Sequence, residues 1–285
     1  MNPPKKLAFD KVPNSAGAVY TEIEGHQAFV AGIHPNDVDQ GLLGDCYFLS
    51  SIASIAQHQP SFIKGLIEPK DDESYDVQLF KREWFGRLHP MRINVHAVVP
   101  QKDGKPVFTR VGDVIKSRFG RQVEVWPIIL EQAYADMMGG YNKVIGGWPH
   151  HAMESLTGLK SESFKARAAD LPKLEKMAAD GYAMACYTRS ELKWKITDKF
   201  VIDFPDRTRH PRFSKHQKKD EKPEPGYYLA PGHAYYITAV DAAANMIKVR
   251  NPWGWNSGET VLTGEEFQAV MRGVSVNPIV PRSSE

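Results

Sequence analysis

The chain has 285 residues, of which 42% are hydrophobic and 25% charged, and this composition excludes wholesale disorder and the fibrous classes. Its 36 Lys and Arg residues nearly balance 34 Asp and Glu residues, so the net charge of +2 gives no reason to expect a nucleic-acid partner. The two cysteines are too few for a disulfide scaffold, and no apolar run reaches the roughly 18 to 20 residues that a membrane span needs.

Residues 1–27 are predicted to form an extended N-terminal segment without a catalytic role. The first basic residues are not followed by the apolar stretch of a secretory signal. We therefore expect a cytoplasmic protein, although export without a leader would leave the same sequence pattern.

A helix is predicted to begin at Cys46. Apolar residues recur after it at helical spacing, and Pro60 ends the pattern; they are Leu49, Ile52, Ala53 and Ala56. The spacing predicts one buried helix face. It also puts Cys46 near the positive end of the helix dipole, which favours a thiolate.

Alternating residues between about 75 and 120 predict a small hairpin region. The two stretches are Asp76 to Phe80 and Arg92 to Val99, with a turn at residues 102–104. A second helix is predicted from Trp126 to Met137, ended by two glycines.

Residues 146–149, Gly-Gly-Trp-Pro, break regular structure and mark the predicted boundary between two lobes. The first lobe covers residues 28–147 and carries Cys46, and the second covers residues 148–285. The second lobe is predicted to be rich in β structure, with strands at 182–187, 235–240 and 246–250.

Helices are predicted in the second lobe at 171–179 and after Thr263, where Glu266 completes a capping-box pattern. Residues 204–226 combine prolines with a basic run and have no apolar face. They are predicted to form a solvated loop, and a basic patch for an acidic partner is the alternative.

Four residues indicate acyl-transfer chemistry. Cys46 would be the nucleophile and His233 its base, because an imidazole can pair with a thiolate. Asn251 would orient the imidazole, and Gln40 could donate its amide to the developing oxyanion. A lone cysteine is usually a small buried hydrophobe, and Cys186 is expected to be one.

The chain resembles the calpains, a family of papain-fold cysteine endopeptidases. Three segments carry the resemblance, in the family's order. Gln40-Gly-Leu-Leu-Gly-Asp-Cys46 is similar to the nucleophile motif, Gly232-His-Ala-Tyr-Tyr-Ile-Thr238 to the histidine motif, and Arg250-Asn-Pro-Trp-Gly254 to the asparagine motif.

The resemblance implies an α+β, papain-like, two-lobed core, helical around Cys46 and β-rich around His233 and Asn251. It implies limited proteolysis of protein substrates through a thioacyl intermediate. Gln40 would be the oxyanion donor, and Trp253 would shield the His-Asn contact. Gly147 and Gly232 would hold extended substrate.

The resemblance also implies a calcium site in the first lobe. Its ligands would be Val30, Gly32, Asp37 and Glu124, and carboxylates with backbone carbonyls suit calcium. The alternative is that the two acids are merely a turn residue and a helix-start residue. The family's second site is expected to be missing, because the chain runs from Trp253 to Val261 without the acid-rich loop. Any calcium control should then be weak or incomplete.

Two other functions stay open at this level. A gated or inactive calpain-like module would bind peptides without cleaving them, with the 204–226 loop over its cleft. An acyl transferase to amines would usually carry Asp in place of Asn251. We expect a monomer that acts on proteins and has neither a nucleic-acid partner nor a membrane span.

Overall fold

A computed structural model describes residues 4–117, 120–190, 229–254 and 258–279. The predicted basic loop at 204–226 lies outside these ranges. The described helices are α1 (Cys46–His58), α2 (Pro60–Leu66), α3 (Trp126–Met138), α4 (Pro149–Thr157), α5 (Leu171–Ala179) and α6 (Gly264–Val270).

The described strands form four sheets. In chain order the strands are β1 (Val19–Glu22), β2 (His26–Gln27), β3 (Ile67–Pro69), β4 (Ser74–Arg82), β5 (Leu88–His96), β6 (Val98–Lys102), β7 (Lys105–Pro106), β8 (Val114–Ser117), β9 (Gly120–Glu124), β10 (Glu162–Lys165), β11 (Ala183–Thr188), β12 (Ala234–Asp241), β13 (Met246–Arg250), β14 (Glu259–Thr263) and β15 (Met271–Asn277). The mixture of helix and sheet confirms the predicted α+β class.

The largest sheet is antiparallel and has the order β10-β15-β11-β12-β13-β14. Alternate side chains of a strand point to opposite faces. On β12, Ala234 and Tyr236 accordingly join one buried cluster, with α1, whereas Tyr235 and Ile237 join another, with α5 and α6. The sheet therefore lies between two apolar cores.

Helix α1 is the centre of the first core. The sequence pattern predicts one buried face, but every residue from Tyr47 to Ala56 is buried. That expectation is wrong because α1 is enclosed by α3 and α4 as well as by β11 and β12. Three serines in this stretch are buried, and two of them, Ser51 and Ser54, donate to backbone carbonyls.

Two side chains of α1 connect it to the large sheet. The Ser54 hydroxyl donates to Met184 O at 3.0 Å and accepts from Met184 N at 2.7 Å. One turn later Gln57 Nε2 donates to Thr238 O at 3.0 Å. The second half of α1 is thus bonded to two neighbouring strands.

The second predicted helix is confirmed as α3, which ends at Gly139 in the left-handed conformation (φ 95°). Further predictions are also confirmed: the pairing of β12 with β13, the capping box of Thr263 and Glu266 on α6, and the burial of Cys186. No helix in the described ranges has the length and apolar character that crossing a membrane requires.

The hairpin region differs from the prediction in its turn. Strands β4 and β5 pair along their whole length, so their turn lies at 83–87. The turn predicted at 102–104 instead joins β6 to the short β7. The N-terminal segment has turns over residues 10–17 before strand β1, and Leu7, Val12 and Ile23 are buried in the first core.

The boundary at residue 147 stays a prediction. Helix α4 follows this boundary in the sequence, and three of its side chains belong to the first core: Ala152, Met153 and Leu156. The second core draws its side chains from residues beyond 163.

Candidate active site

Cys46 is the first residue of α1, and its thiol is free. The preceding residue, Asp45, accepts the first helical hydrogen bonds through its backbone carbonyl, from Phe48 N and Leu49 N. The sulfur accepts one bond from outside the helix, from Ala234 N at 3.4 Å. Because Ala234 follows His233 directly, this contact brings the start of β12 to the thiol.

His233 is held at the entrance to β12 by its backbone. Its N–H donates to Thr188 Oγ1 at 3.0 Å, and its carbonyl accepts from Thr188 N at 2.9 Å. Only 8% of His233 is exposed. The Trp253 ring lies 4.6 Å from the imidazole, centroid to centroid, and so covers it.

Asn251 orients the imidazole. Its Oδ1 lies 2.9 Å from His233 Nε2 and also accepts from Trp253 N at 3.1 Å, which fixes the oxygen and not the nitrogen toward the ring. An amide oxygen accepts hydrogen bonds only. We therefore assign the proton to Nε2, which leaves Nδ1 as the basic nitrogen.

Burial sets the protonation of both groups. It raises the pKa of the Cys46 thiol to about 11, against a smaller lowering by the bond from Ala234 N. It lowers the pKa of the His233 imidazole to about 4, which the bond to Asn251 offsets only in part. Burial therefore opposes the thiolate that the helix dipole is expected to favour.

Cys46 and His233 line one cavity of roughly 150 Å³. Gly147 and Gly232, the predicted substrate-binding glycines, line it as well, together with Trp148 and Arg272. A Cβ on Gly147 would lie 2.4 Å from the Tyr47 ring, so only glycine fits there. Their role toward substrate stays a prediction.

Gln40 is buried beside this site and connects its two sides. Its backbone N–H donates to Pro252 O at 2.9 Å, one residue after Asn251. Its side-chain Nε2 donates to Leu43 O at 2.7 Å and lies 3.4 Å from Asp45 Oδ1. The predicted oxyanion donor is thus engaged with protein atoms in this structure.

Sequence reasoning assigned no role to Asp45 and Glu131, which are both buried. Burial raises the pKa of Asp45, and repulsion from Glu131 raises it further. Thr109 donates to Glu131 from its hydroxyl at 2.6 Å and from its N–H at 3.2 Å. The signal in the sequence is a glutamate that directly follows the apolar run of residues 126–130.

Three of the four residues predicted to bind calcium, Val30, Asp37 and Glu124, are neighbours in the fold. Glu124 Oε2 accepts from Val30 N at 2.7 Å and Ala31 N at 3.1 Å, while its Oε1 is buried and has no hydrogen bond within the described ranges. Asp37 Oδ2 accepts from His34 N at 2.7 Å and Trp126 Nε1 at 3.0 Å.

The pKa values of both acids are raised, chiefly by burial and further by a third carboxylate, Asp113, that the sequence analysis missed. A Cβ on Gly112 would lie 3.4 Å from the Cβ atoms of both Asp37 and Glu124, so the two acids flank this backbone. Hard oxygen donors with net negative charge are suited to calcium.

The chain is similar to known proteins. The model of a family described as calpain family cysteine protease matches residues 19–265. Human calpain-9 is 25% identical over 248 residues, covering 82% of this chain and 31% of its own length. The calpain-1 catalytic subunit of Sus scrofa is 26% identical over 285 residues, covering 92% and 35%.

Calpain-A of Drosophila melanogaster is 29% identical over 252 residues, covering 82% of this chain and 26% of its own length. The chain therefore spans about a third of the length of the curated relatives that it matches, or less.

Proposed function

The chain belongs to the calpain family of cysteine proteases, and from this premise we propose that it is an endopeptidase that cleaves proteins with Cys46, His233 and Asn251. Its α+β fold fits the papain-like core of that family. The observation that carries the proposal is the pair of contacts at β12: His233 Nε2 to Asn251 Oδ1 at 2.9 Å, and Ala234 N to Cys46 Sγ at 3.4 Å.

The first step is attack by sulfur on a substrate carbonyl carbon. Because both groups are neutral at rest, the Sγ–H proton passes to His233 Nδ1 as the S–C bond forms. The imidazolium is stabilised by Asn251, which accepts from Nε2. His233 then returns the proton to the leaving amine, and the thioester remains on Cys46.

The second step repeats this chemistry with water. His233 takes a proton from water, and the water oxygen bonds to the thioester carbon. The S–C bond then breaks, His233 returns the proton to Sγ, and a carboxylic acid is released. The oxyanion of both steps would accept from Cys46 N–H. Gln40 Nε2 joins as a second donor if it turns from Leu43 O toward the cavity.

We also propose that the first-lobe acids hold calcium. The supporting observations are the unpartnered Glu124 Oε1 and the repulsion that Asp37 and Asp113 exert on Glu124. The backbone carbonyls of Val30 and Gly32 would complete the ligand set. A bound calcium would neutralise the repulsion among the carboxylates and fix the loop at residues 30–37 relative to β9.

A casein hydrolysis assay tests the proteolytic function. We expect cleavage by the wild-type chain, none by Cys46→Ala, and unchanged cleavage by the matched control Cys186→Ala, which removes the other thiol. Each protein is assayed with calcium and with chelator, and Glu124→Gln is expected to remove any gain from calcium. Full activity of Cys46→Ala would disprove the proposed nucleophile.

A gated peptide-binding module is the second candidate, favoured by the small cavity and by the engaged Gln40 amide. The same assay separates the two, because binding of casein without cleavage under every condition would favour the gated form. A cytoplasmic location and a monomeric state remain predictions.

A further inference from the structure

The turn between β4 and β5 exposes two adjacent aromatic side chains. Trp84 is 89% exposed and Phe85 104% exposed, whereas no other large hydrophobic residue in the described ranges exceeds 64%. We call residues 84–86 the aromatic tip. A single exposed apolar residue is ordinary, but two neighbouring aromatic rings held fully in water indicate an interaction site.

Phe85 also has an unfavourable backbone conformation. Its φ is 62°, in the left-handed region that a bulky residue rarely adopts. Gly86 follows directly and also has a positive φ. A glycine at position 85 would adopt the same backbone conformation without strain. Strain of this kind persists where a side chain is needed in a fixed direction.

The tip is anchored to the body of the protein. Lys160 Nζ donates to Gly86 O, and Gly86 N donates to Glu83 O at 3.0 Å. Arg82 NH1 lies 2.6 Å from the buried carboxylate of Glu154. The two rings therefore project from a firm base, and little conformational entropy is lost when they are buried against a partner.

Basic residues surround the two rings. Lys81, Arg87 and Lys160 are exposed, and Glu83 is the only acid in the sequence from 81 to 89. Arg82 is compensated by Glu154. The surface thus combines aromatic rings with a local positive charge, although the whole chain has a net charge of only +2.

We propose that the aromatic tip docks the protein on lipid bilayers that carry anionic headgroups. Trp and Phe are favoured at the interface between headgroups and acyl chains, and nearby Lys and Arg residues are attracted to anionic lipid. A protein partner would usually present a shaped pocket to such rings and would not require the surrounding charge. The proposal does not depend on the proteolytic function.

Vesicle sedimentation tests the proposal with the full chain. The vesicles are phosphatidylcholine with about one-third phosphatidylserine, against pure phosphatidylcholine, in chelator so that calcium plays no part. We expect binding to the mixed vesicles, and at least tenfold weaker binding by the double variant Trp84→Ala, Phe85→Ala. Arg87→Gln should weaken binding about fivefold.

Val19→Ala is the matched control, because Val19 is 64% exposed on β1, outside the tip. It should bind like the wild type. Quenching of tryptophan fluorescence by brominated lipid should be smaller in Trp84→Phe than in the wild type. Equal unfolding midpoints and equal cleavage of a soluble substrate show that the variants are folded.

Three results would overturn the proposal. The first is no sedimentation with the mixed vesicles at low salt, and the second is equal binding by the double variant. The third is concentration-dependent self-association that the double variant abolishes, which would make a second copy of the chain the occupant.

Discussion

Asp45, one residue before the candidate nucleophile, is buried close enough to Glu131 for the charge of that carboxylate to act on it. Burial raises the pKa of Glu131 to about 7, and burial together with repulsion from Glu131 raises that of Asp45 well above its usual value. The pair therefore keeps a proton near neutral pH. Asp45 and Glu131 then do not both carry a full negative charge behind Cys46. Asp45 Oδ1 still accepts from Gln40 Nε2.

Glu131→Gln should make stability less dependent on pH. The pKa of Glu131 is higher in the folded chain (about 7) than in the unfolded chain (4.5), so its stabilising contribution is complete below 4.5 and lost as pH rises through 7. We expect the wild-type free energy of unfolding to fall by on the order of 3 kcal/mol between about pH 5 and pH 8, from this group alone. Urea titrations should show a smaller fall for Glu131→Gln, and Glu24→Gln, at an exposed site, should match the wild type.

Alkylation of Cys46 should accelerate with pH through the neutral range. With a thiol pKa of about 11, the thiolate fraction rises roughly tenfold per pH unit. Iodoacetamide labelling followed by mass spectrometry measures this rate, and the buried Cys186 serves as the internal control that stays unlabelled. A labelling rate that does not change between about pH 5 and pH 9 would instead indicate a thiolate-imidazolium pair.

Asn251→Ala should lower kcat on casein about 100-fold, the lower end of what a positioned base contributes. The substitution removes the acceptor for both His233 Nε2 and Trp253 N, so the ring loses its fixed tautomer. Asn142→Ala removes a surface amide bond to Asp10 and should leave kcat unchanged. An unchanged kcat in Asn251→Ala would contradict the orienting role.

Gly147→Ala should displace the Tyr47 ring, because the new Cβ would lie 2.4 to 2.8 Å from three of its atoms. We expect a loss of about 1 to 3 kcal/mol of unfolding free energy and reduced activity. The loss should largely disappear when Gly147→Ala is made in a Tyr47→Ala background. Gly44→Ala, whose Cβ would meet only Ile145 at 3.4 Å, should cost less.

Local patterns were sufficient for the elements that carry the triad. Periodicity and capping residues predicted α1 and α3, and the alternation of β12 and β13 predicted their pairing. These signals are contained in the elements themselves. Resemblance to a family then supplied the roles of residues that lie far apart in the chain.

Features set by tertiary contact were not predictable. The turn at 83–87 has a single glycine and two aromatics, so no turn signal competes with Lys102-Asp-Gly104. The burial of α1 on every side depends on β11 and β12, which follow more than 120 residues later. The Asp45–Glu131 pair and Asp113 likewise become neighbours only after folding.

The bonds from Ser54 and Gln57 join α1 to the large sheet at the end of the helix far from Cys46. Both lie in the second half of α1, whereas Cys46 lies eight residues before Ser54, about 12 Å along the helix. A rocking of α1 against the sheet by about 10° would therefore carry the sulfur some 2 Å from Ala234 N, while the bonds at the pivot are barely stretched. If α1 rotates in this way, a small rotation about Ser54 and Gln57 becomes a change in the position of the Cys46 sulfur.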